Sequence, residues 1–181
     1  MRSGILLLWV LCACGNEVPT LTEEELEMPA SSRVIQSPLK YTIAVPEELR
    51  PKEENESGDY VQYASISKER YLEIHAIDKA DGQGAASADL AHFADARLIP
   101  FRANSTVLKQ MKLREQSIHS LSAITTAFDV KRAGSVDTWS YWMAFIEGKE
   151  HFYDIRIWTR SDRKAYFEQT ANAIIYSFKE P

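Results

Sequence analysis

Cysteine is almost missing from this 181-residue chain: it occurs twice, as Cys12 and Cys14, and the body that follows has none. A body without cysteine carries no disulfide staple and no thiolate metal cage, so its core must hold by packing alone. Positive charge is also in deficit. Lys and Arg number 21 against 26 Asp and Glu, for a formal charge of −5 and a pI of about 5.4. That balance offers no basic stripe for nucleic acid and little attraction to anionic lipid. No apolar run reaches the ~20 residues needed to cross a bilayer as a helix, and there is no internal repeat. A Gly-rich phosphate loop, a Cys pair with metal spacing, His-Glu-x-x-His and Gly-x-Ser-x-Gly are all lacking. With no acid, base and nucleophile set to assemble, the chain reads as a non-enzyme without cofactor or metal.

The first residues read as an export signal. Arg2 supplies the positive end, and Ile5, Leu6, Leu7, Leu8, Trp9, Val10 and Leu11 form a short apolar core. The run closes on Leu11-Cys12-Ala13-Cys14, which resembles a bacterial lipobox. The resemblance implies a signal peptide over residues 1–13, removal of Cys12 with it, and lipidation of Cys14 as the first mature residue. Gly15 rather than Asp follows the lipidated position, which by the sorting rule of that family implies the periplasmic face of the outer membrane. Several acyl chains would anchor firmly, at about 0.8 kcal/mol per buried methylene.

Residues 14–37 read as an acidic flexible tether. Pro19, Pro29, Ser31, Ser32 and Ser37 interrupt it, Glu23, Glu24, Glu25 and Glu27 crowd together, and Thr22 to Glu25 has the form of a capping box. Residues 38–181 then make one globular domain. Tyr41, Ile43 and Val45 alternate along a first strand ended by Pro46, and the polar stretch from Glu48 to Asp59 reads as a loop. Val61 and Tyr63 pair with Leu72, Ile74 and Ala76 in a hairpin. Ser87 caps a helix carrying Leu90, Phe93, Ala94 and Leu98, which Pro100 stops, and a second short helix from Asn104 carries Val107, Leu108 and Met111. A strand rich in β-branched residues follows, bearing Ile118, Ile124, Phe128 and Val130, with His119 an ordinary member. Two further strands flank Gly148-Lys149 as a two-residue type II′ turn.

The last segment reads as one long amphipathic helix capped by Ser161. Phe167, Ala171, Ile174, Ile175 and Phe178 form its apolar stripe. Burying the four large members contributes a gross ~6–12 kcal/mol, largely offset by ordering entropy. Between Trp139 and Ile146 both strand faces are apolar, so the fold class expected is α+β: an antiparallel sheet covered by helices on both faces, an α/β/α sandwich.

Tyr41, Ile43, Val45 and Pro46 at the start, with Phe167, Ala171, Ile174, Ile175, Ser177 and Phe178 at the end, give the domain a pattern that resembles the Mog1/PsbP-like superfamily, including its DcrB-type bacterial lipoproteins. That resemblance implies an accessory or assembly role and brings no catalytic residues. Glu73 and His75 share a sheet face but lack a third metal ligand, and read as a solvent-facing pair. His151 and Asp154 fall on opposite strand faces. The aromatic hairpin of Trp139, Tyr141, Trp142, Phe145, Phe152, Tyr153 and Trp158 reads first as cross-strand packing and second as a pocket wall, with Trp142 and Trp158 the candidate binding patch. The expected function is a lipid-anchored envelope protein that binds another envelope protein without catalysis. The alternative is a periplasmic carrier of a small apolar ligand or lipid.

Overall fold

The computed structural model describes residues 28–54, 59–80 and 89–181. The export signal, Cys12, Cys14, the capping box at Thr22 and the proposed cap Ser87 lie outside the described residues. The described chain is mostly antiparallel β-sheet with few helices. A small sheet pairs β1 (Ser32–Gln36) with β2 (Thr42–Pro46). The main sheet contains β3 (Arg50–Glu54), β4 (Tyr60–Ser65), β5 (Arg70–Asp78), β6 (Ser105–Gln110), β7 (Arg114–Ile118), β8 (Leu121–Arg132), β9 (Thr138–Glu147) and β10 (His151–Arg160). Its spatial order is β3-β4-β5-β10-β9-β8-β6, with β7 also pairing to β8. Helix α1 (Leu90–Ala103) joins β5 to β6, and a 3-10 helix (Ser161–Tyr166) leads into α2 (Glu168–Tyr176).

The two central strands account for the doubly apolar pattern read from Trp139 to Ile146. On one face, Tyr141, Met143 and Phe145 of β9 join Phe152 and Trp158 of β10 beneath Leu90, Phe93, Ala94 and Leu98 of α1. On the other face, Trp142, Ala144 and Ile146 join Tyr153, Ile155 and Ile157. There they meet Ile43 and Val45 of β2 and the stripe Phe167, Ala171, Ile174, Ile175 and Phe178. Both faces of β9 and β10 are therefore withdrawn from water, which is where long apolar runs on a strand are stable. The hairpin of β4 and β5 has the expected register, Val61 opposite Ile74 and Tyr63 opposite Leu72.

Several expectations are corrected. Part of the supposed tether is folded, because Ser32–Gln36 is β1 and Met28 and Ile35 pack on the core. The polar loop after Pro46 contains β3, an edge strand in which Pro51 gives up a donor at little cost. Helix α1 is capped by Asp89, whose Oδ1 accepts from His92 N at 2.9 Å. Pro100 does not stop it. The helix runs one turn further, and Phe101 packs on Phe128 and Tyr141 at centroid distances of 5.2 and 5.0 Å. Aromatic burial of that size offsets the ~3 kcal/mol that a proline costs inside a helix. The second helix expected from Asn104 is instead the strand β6, since the edge of β8 supplies partners that helical spacing alone cannot.

His119 is no strand residue. With Ser120 it forms the two-residue connection between β7 and β8, both at positive φ (45° and 70°), the combination a type I′ turn requires. His119 Nε2 pairs with the carbonyl of Tyr176 at 2.8 Å, tying that turn to the end of α2. At the β9–β10 turn, Gly148 N donates to His151 O at 2.9 Å, so Lys149 and Glu150 are the connecting residues rather than Gly148 and Lys149. Glycine is needed at 148 for a different reason. A Cβ there would stand 2.5 Å from Glu180 Oε1 and 2.7 Å from the Tyr153 ring.

The long C-terminal helix is not formed. Ser161 begins the 3-10 helix without capping it, and α2 is only nine residues long. Lys164 on the 3-10 helix pairs with Asp129 at 3.0 Å, which anchors the break against β8. After α2 the chain extends. Thr42 and Lys179 exchange backbone hydrogen bonds of 2.8 and 2.9 Å, and Glu180 accepts from Tyr153 Oη at 3.0 Å and Lys149 N at 2.8 Å. The tail thus straps β2 to the tip of the β9–β10 hairpin.

Candidate functional site

Trp142 and Trp158 are 3% and 6% exposed and lie in the clusters on opposite faces of the sheet. They do not reach the surface and make no common patch. Trp158 stacks between Tyr71 and Tyr141, with ring centroids 5.2 and 5.5 Å away. The Arg132 guanidinium lies 5.0 Å from the Trp139 ring centre and 5.6 Å from that of Trp158. Arg132 Nε also donates to the Tyr141 hydroxyl at 2.7 Å. Burial pushes the Tyr141 hydroxyl's pKa up, against the opposing charge of Arg132. Most of the aromatic hairpin is therefore ring-on-ring packing, and Trp142 borders a cavity.

A charged network lies on the α1 face of β5 and β10. Register sets His75 opposite Asp154 and Glu73 opposite Arg156. Asp154 is fully buried. It accepts from Arg97 Nε of α1 at 2.6 Å and from Arg156 Nε and Nη2 at 3.0 and 2.6 Å. Glu73 Oε1 pairs with His75 Nε2 at 2.9 Å, and the Tyr60 ring stands 4.8 Å from that of His75. The pair read as solvent-facing is thus half-buried beside two arginines and an aspartate. His151 lies on the face opposite Asp154, as strand alternation requires. Among the described residues no three His, Cys, Asp or Glu side chains converge to hold a metal.

Burial opposes the charge on Glu73, yet the hydrogen bond from His75 and the charges of His75 and Arg156 hold its pKa below the ordinary value of 4.5. A carboxyl lowered on folding stabilises the native state above its unfolded pKa and loses that contribution as pH falls through the folded one. Glu73→Gln should therefore lower stability at pH 7 and approach wild type below pH 4.5. Urea midpoints measured from pH 7 to pH 3 check this.

The third feature arises where the sheet divides. The outer edge of β8 is shared, with β7 opposite residues 121–125 and β6 opposite residues 128–132. Between them Met111 bridges the gap: its N donates to Ala127 O and its O accepts from Thr126 Oγ1, both at 2.9 Å. Beside this split, under α2, is a cavity of about 270 Å³. Buried Ala127, Trp142 and Ile175 supply apolar wall. Gln116 bridges two polar groups there, accepting from Tyr176 Oη at 2.8 Å and donating to Thr125 Oγ1 at 3.1 Å. The Trp142 indole N–H is buried and has no hydrogen-bond partner among the described residues. Lys112, Arg114 and Glu168 stand exposed at the cavity's rim.

Next to the cavity, β6 forms one edge of the main sheet and exposes Val107 and Leu108, with Met111 and Leu113 following. Large apolar side chains on an open strand edge mark a surface suited to association. Sequence reasoning missed this edge because helical spacing of Val107, Leu108 and Met111 appeared to bury them. It missed the cavity and the Arg97–Asp154 pair because each joins elements far apart in the chain.

No family model and no curated protein matches the chain. Solved structures do. Cyanobacterial PsbP (CyanoP) from Synechocystis superposes with a TM-score of 0.62 at 12% identity, covering 94% of this chain and 99% of that one. PA94, a protein of unknown function from Pseudomonas aeruginosa, superposes with a TM-score of 0.51 at 14% identity, over 81% of this chain and 94% of its own. A protein from Bacteroides thetaiotaomicron gives 0.53 at 8% identity, over 83% of this chain and 49% of that one. At these identities the likeness concerns architecture. The chain has a PsbP-like fold.

Proposed function

We propose that this chain is a lipid-anchored cell-envelope protein whose domain binds another envelope protein without catalysis. The observation that carries the reading is the open apolar edge of β6, where Leu108 is 56% exposed. The lipobox-like ending at Cys14 supports the anchor, and Gly15 the periplasmic face of the outer membrane. The PsbP-like fold is in keeping with an accessory role. A photo-crosslinking residue at position 108 should join the protein to one envelope partner in intact cells, whereas one at Ile66, 66% exposed in the β4–β5 turn and separated from β6 by β10, β9 and β8, should not. Equal labelling from both positions would overturn the docking reading. Intact mass of the protein taken from its membrane reports the anchor: an acylated chain beginning at Cys14 supports it, and an unprocessed chain beginning at Met1 sinks it.

A second reading is favoured by the cavity under α2. A half-open space with buried apolar walls suits a carrier of a small apolar ligand.

A further inference from the structure

We infer that the cavity between the β6–β7 split and α2 binds a short-chain amphiphilic monoanion, its apolar body inward and its acid group at the rim. The inference rests on the carrier reading and adds a chemical class to it.

Depth and charge vary together along this cavity. Ala127, Trp142 and Ile175 are buried, so a chain pointing inward meets carbon and ring surface. Lys112 and Arg114 are exposed at the mouth, and among the described residues no carboxylate pairs with either. Two cations held at one mouth and paired with no carboxylate favour an incoming anion. Glu168 on the first turn of α2 supplies one negative charge to the same rim. The rim is thus left with a surplus of one positive charge, which matches a single acid group better than a doubly charged one.

Size narrows the class. A volume of 270 Å³ holds about nine groups the size of a water molecule, at ~30 Å³ each. That suits a carboxylate with a chain of about six to eight carbons. Long membrane lipids do not fit inside, although one acyl end would. The mouth is built to keep its position. Met111 is fixed to β8 through both its backbone N–H and its carbonyl, which sets Lys112, and Gln116 is fixed by Thr125 and Tyr176, which sets the register of Arg114 on β7. Trp142 in the wall contributes an indole N–H that has no partner among the described residues.

The probes are octanoate, 1-octanol and octylammonium, which share a chain and differ in head group. The full-length chain labelled with 5-fluorotryptophan has four ¹⁹F resonances, from Trp9, Trp139, Trp142 and Trp158, assignable by single Trp→Phe replacements. Octanoate should shift the Trp142 resonance saturably while Trp158, on the opposite face, stays put. Octanol and octylammonium should bind at least tenfold more weakly. Lys112→Ala with Arg114→Ala should weaken octanoate at least tenfold, and Lys112→Glu with Arg114→Glu should reverse the preference toward octylammonium. Both pairs lie at exposed positions, and unchanged Trp139 and Trp158 resonances would show that the fold is intact. If octanol binds as well as octanoate, recognition of an acid head is overturned while a neutral apolar pocket stands. If none of the three moves Trp142, the carrier reading falls with it. Equal shifts at Trp142 and Trp158 would mean nonspecific partitioning and overturn the site.

Discussion

Replacing Asp154 by alanine is expected to destabilise the fold by about 3–5 kcal/mol, seen as a lower urea midpoint with an unchanged slope. Asp154 is the fully buried acceptor for Arg156 of its own strand and Arg97 of α1. Its removal leaves the Arg156 guanidinium, only 18% exposed, without its closest counter-charge. Burial works against the Arg156 charge, but the charge and hydrogen bonds of Asp154, together with the charge of Glu73, hold its pKa above the ordinary value. Arg97→Ala should cost distinctly less, because Asp154 keeps both bonds from Arg156 and Arg97 is 30% exposed. A network of charges is poor evidence for stability in itself, since well-packed apolar replacements often equal it. The size of the loss here comes from leaving one buried charge behind. Equal losses in the two variants would mean that α1 docking, rather than charge compensation, is what Asp154 provides.

Phe178→Ala is expected to cost about 3–5 kcal/mol, the range for removing a large aromatic from a packed core. Phe178 is fully buried. It stacks on Tyr41 at 5.3 Å and lies 4.8 Å from Tyr153. Those rings belong to the segment entering β2 and to β10, so the residue joins the small sheet to the large one. Its loss should also loosen the strap formed by Lys179 and Glu180. Hydrogen exchange at Thr42 N, which donates to Lys179 O, should rise more than the global destabilisation accounts for. The Tyr153 hydroxyl gives a second readout. Burial and the neighbouring Glu180 carboxylate raise its pKa in the intact protein, and a loosened strap should lower it toward the ordinary value of 10.

The parts of the fold legible in the sequence are those where a period meets a single environment. Val61 and Tyr63 against Leu72 and Ile74 alternate because one face of that hairpin is apolar core. The stripe from Phe167 to Phe178 is entirely buried, although the chain achieves it with a 3-10 helix, a short α-helix and an extended end instead of one helix. The two apolar faces of β9 announced a central strand. Edge strands were illegible for the opposite reason. β1, β3 and β6 are partly or wholly exposed, and their pairing partners rather than their own side chains decide their conformation.

Pro100 shows the same override, with Phe101 reaching its aromatic partners only if the helix continues. The site was less legible still. Glu73 and His75 could be placed on one face from spacing alone, but Arg97 reaches them from another element through Asp154. The cavity depends on two strands sharing one edge, which no local pattern records. Trp142 and Trp158, the candidate binding patch, could not be assigned a face from the hairpin pattern alone. In this sheet both faces are covered at those positions.

The order of strands has a consequence for how the chain matures. β5 completes one ladder early, with β4 beside it, but its other neighbour is β10, separated from it in the chain by α1 and four further strands. A growing or partly threaded polypeptide that stops before residue 151 therefore holds a hairpin with a bare flank of unpaired amides. Such a flank is a template for pairing with other chains. Closure must wait for the last strand, which makes assembly slow and nearly all-or-none in chain length. Under the export proposed above, that delay would keep the chain threadable until about its last sixth arrives.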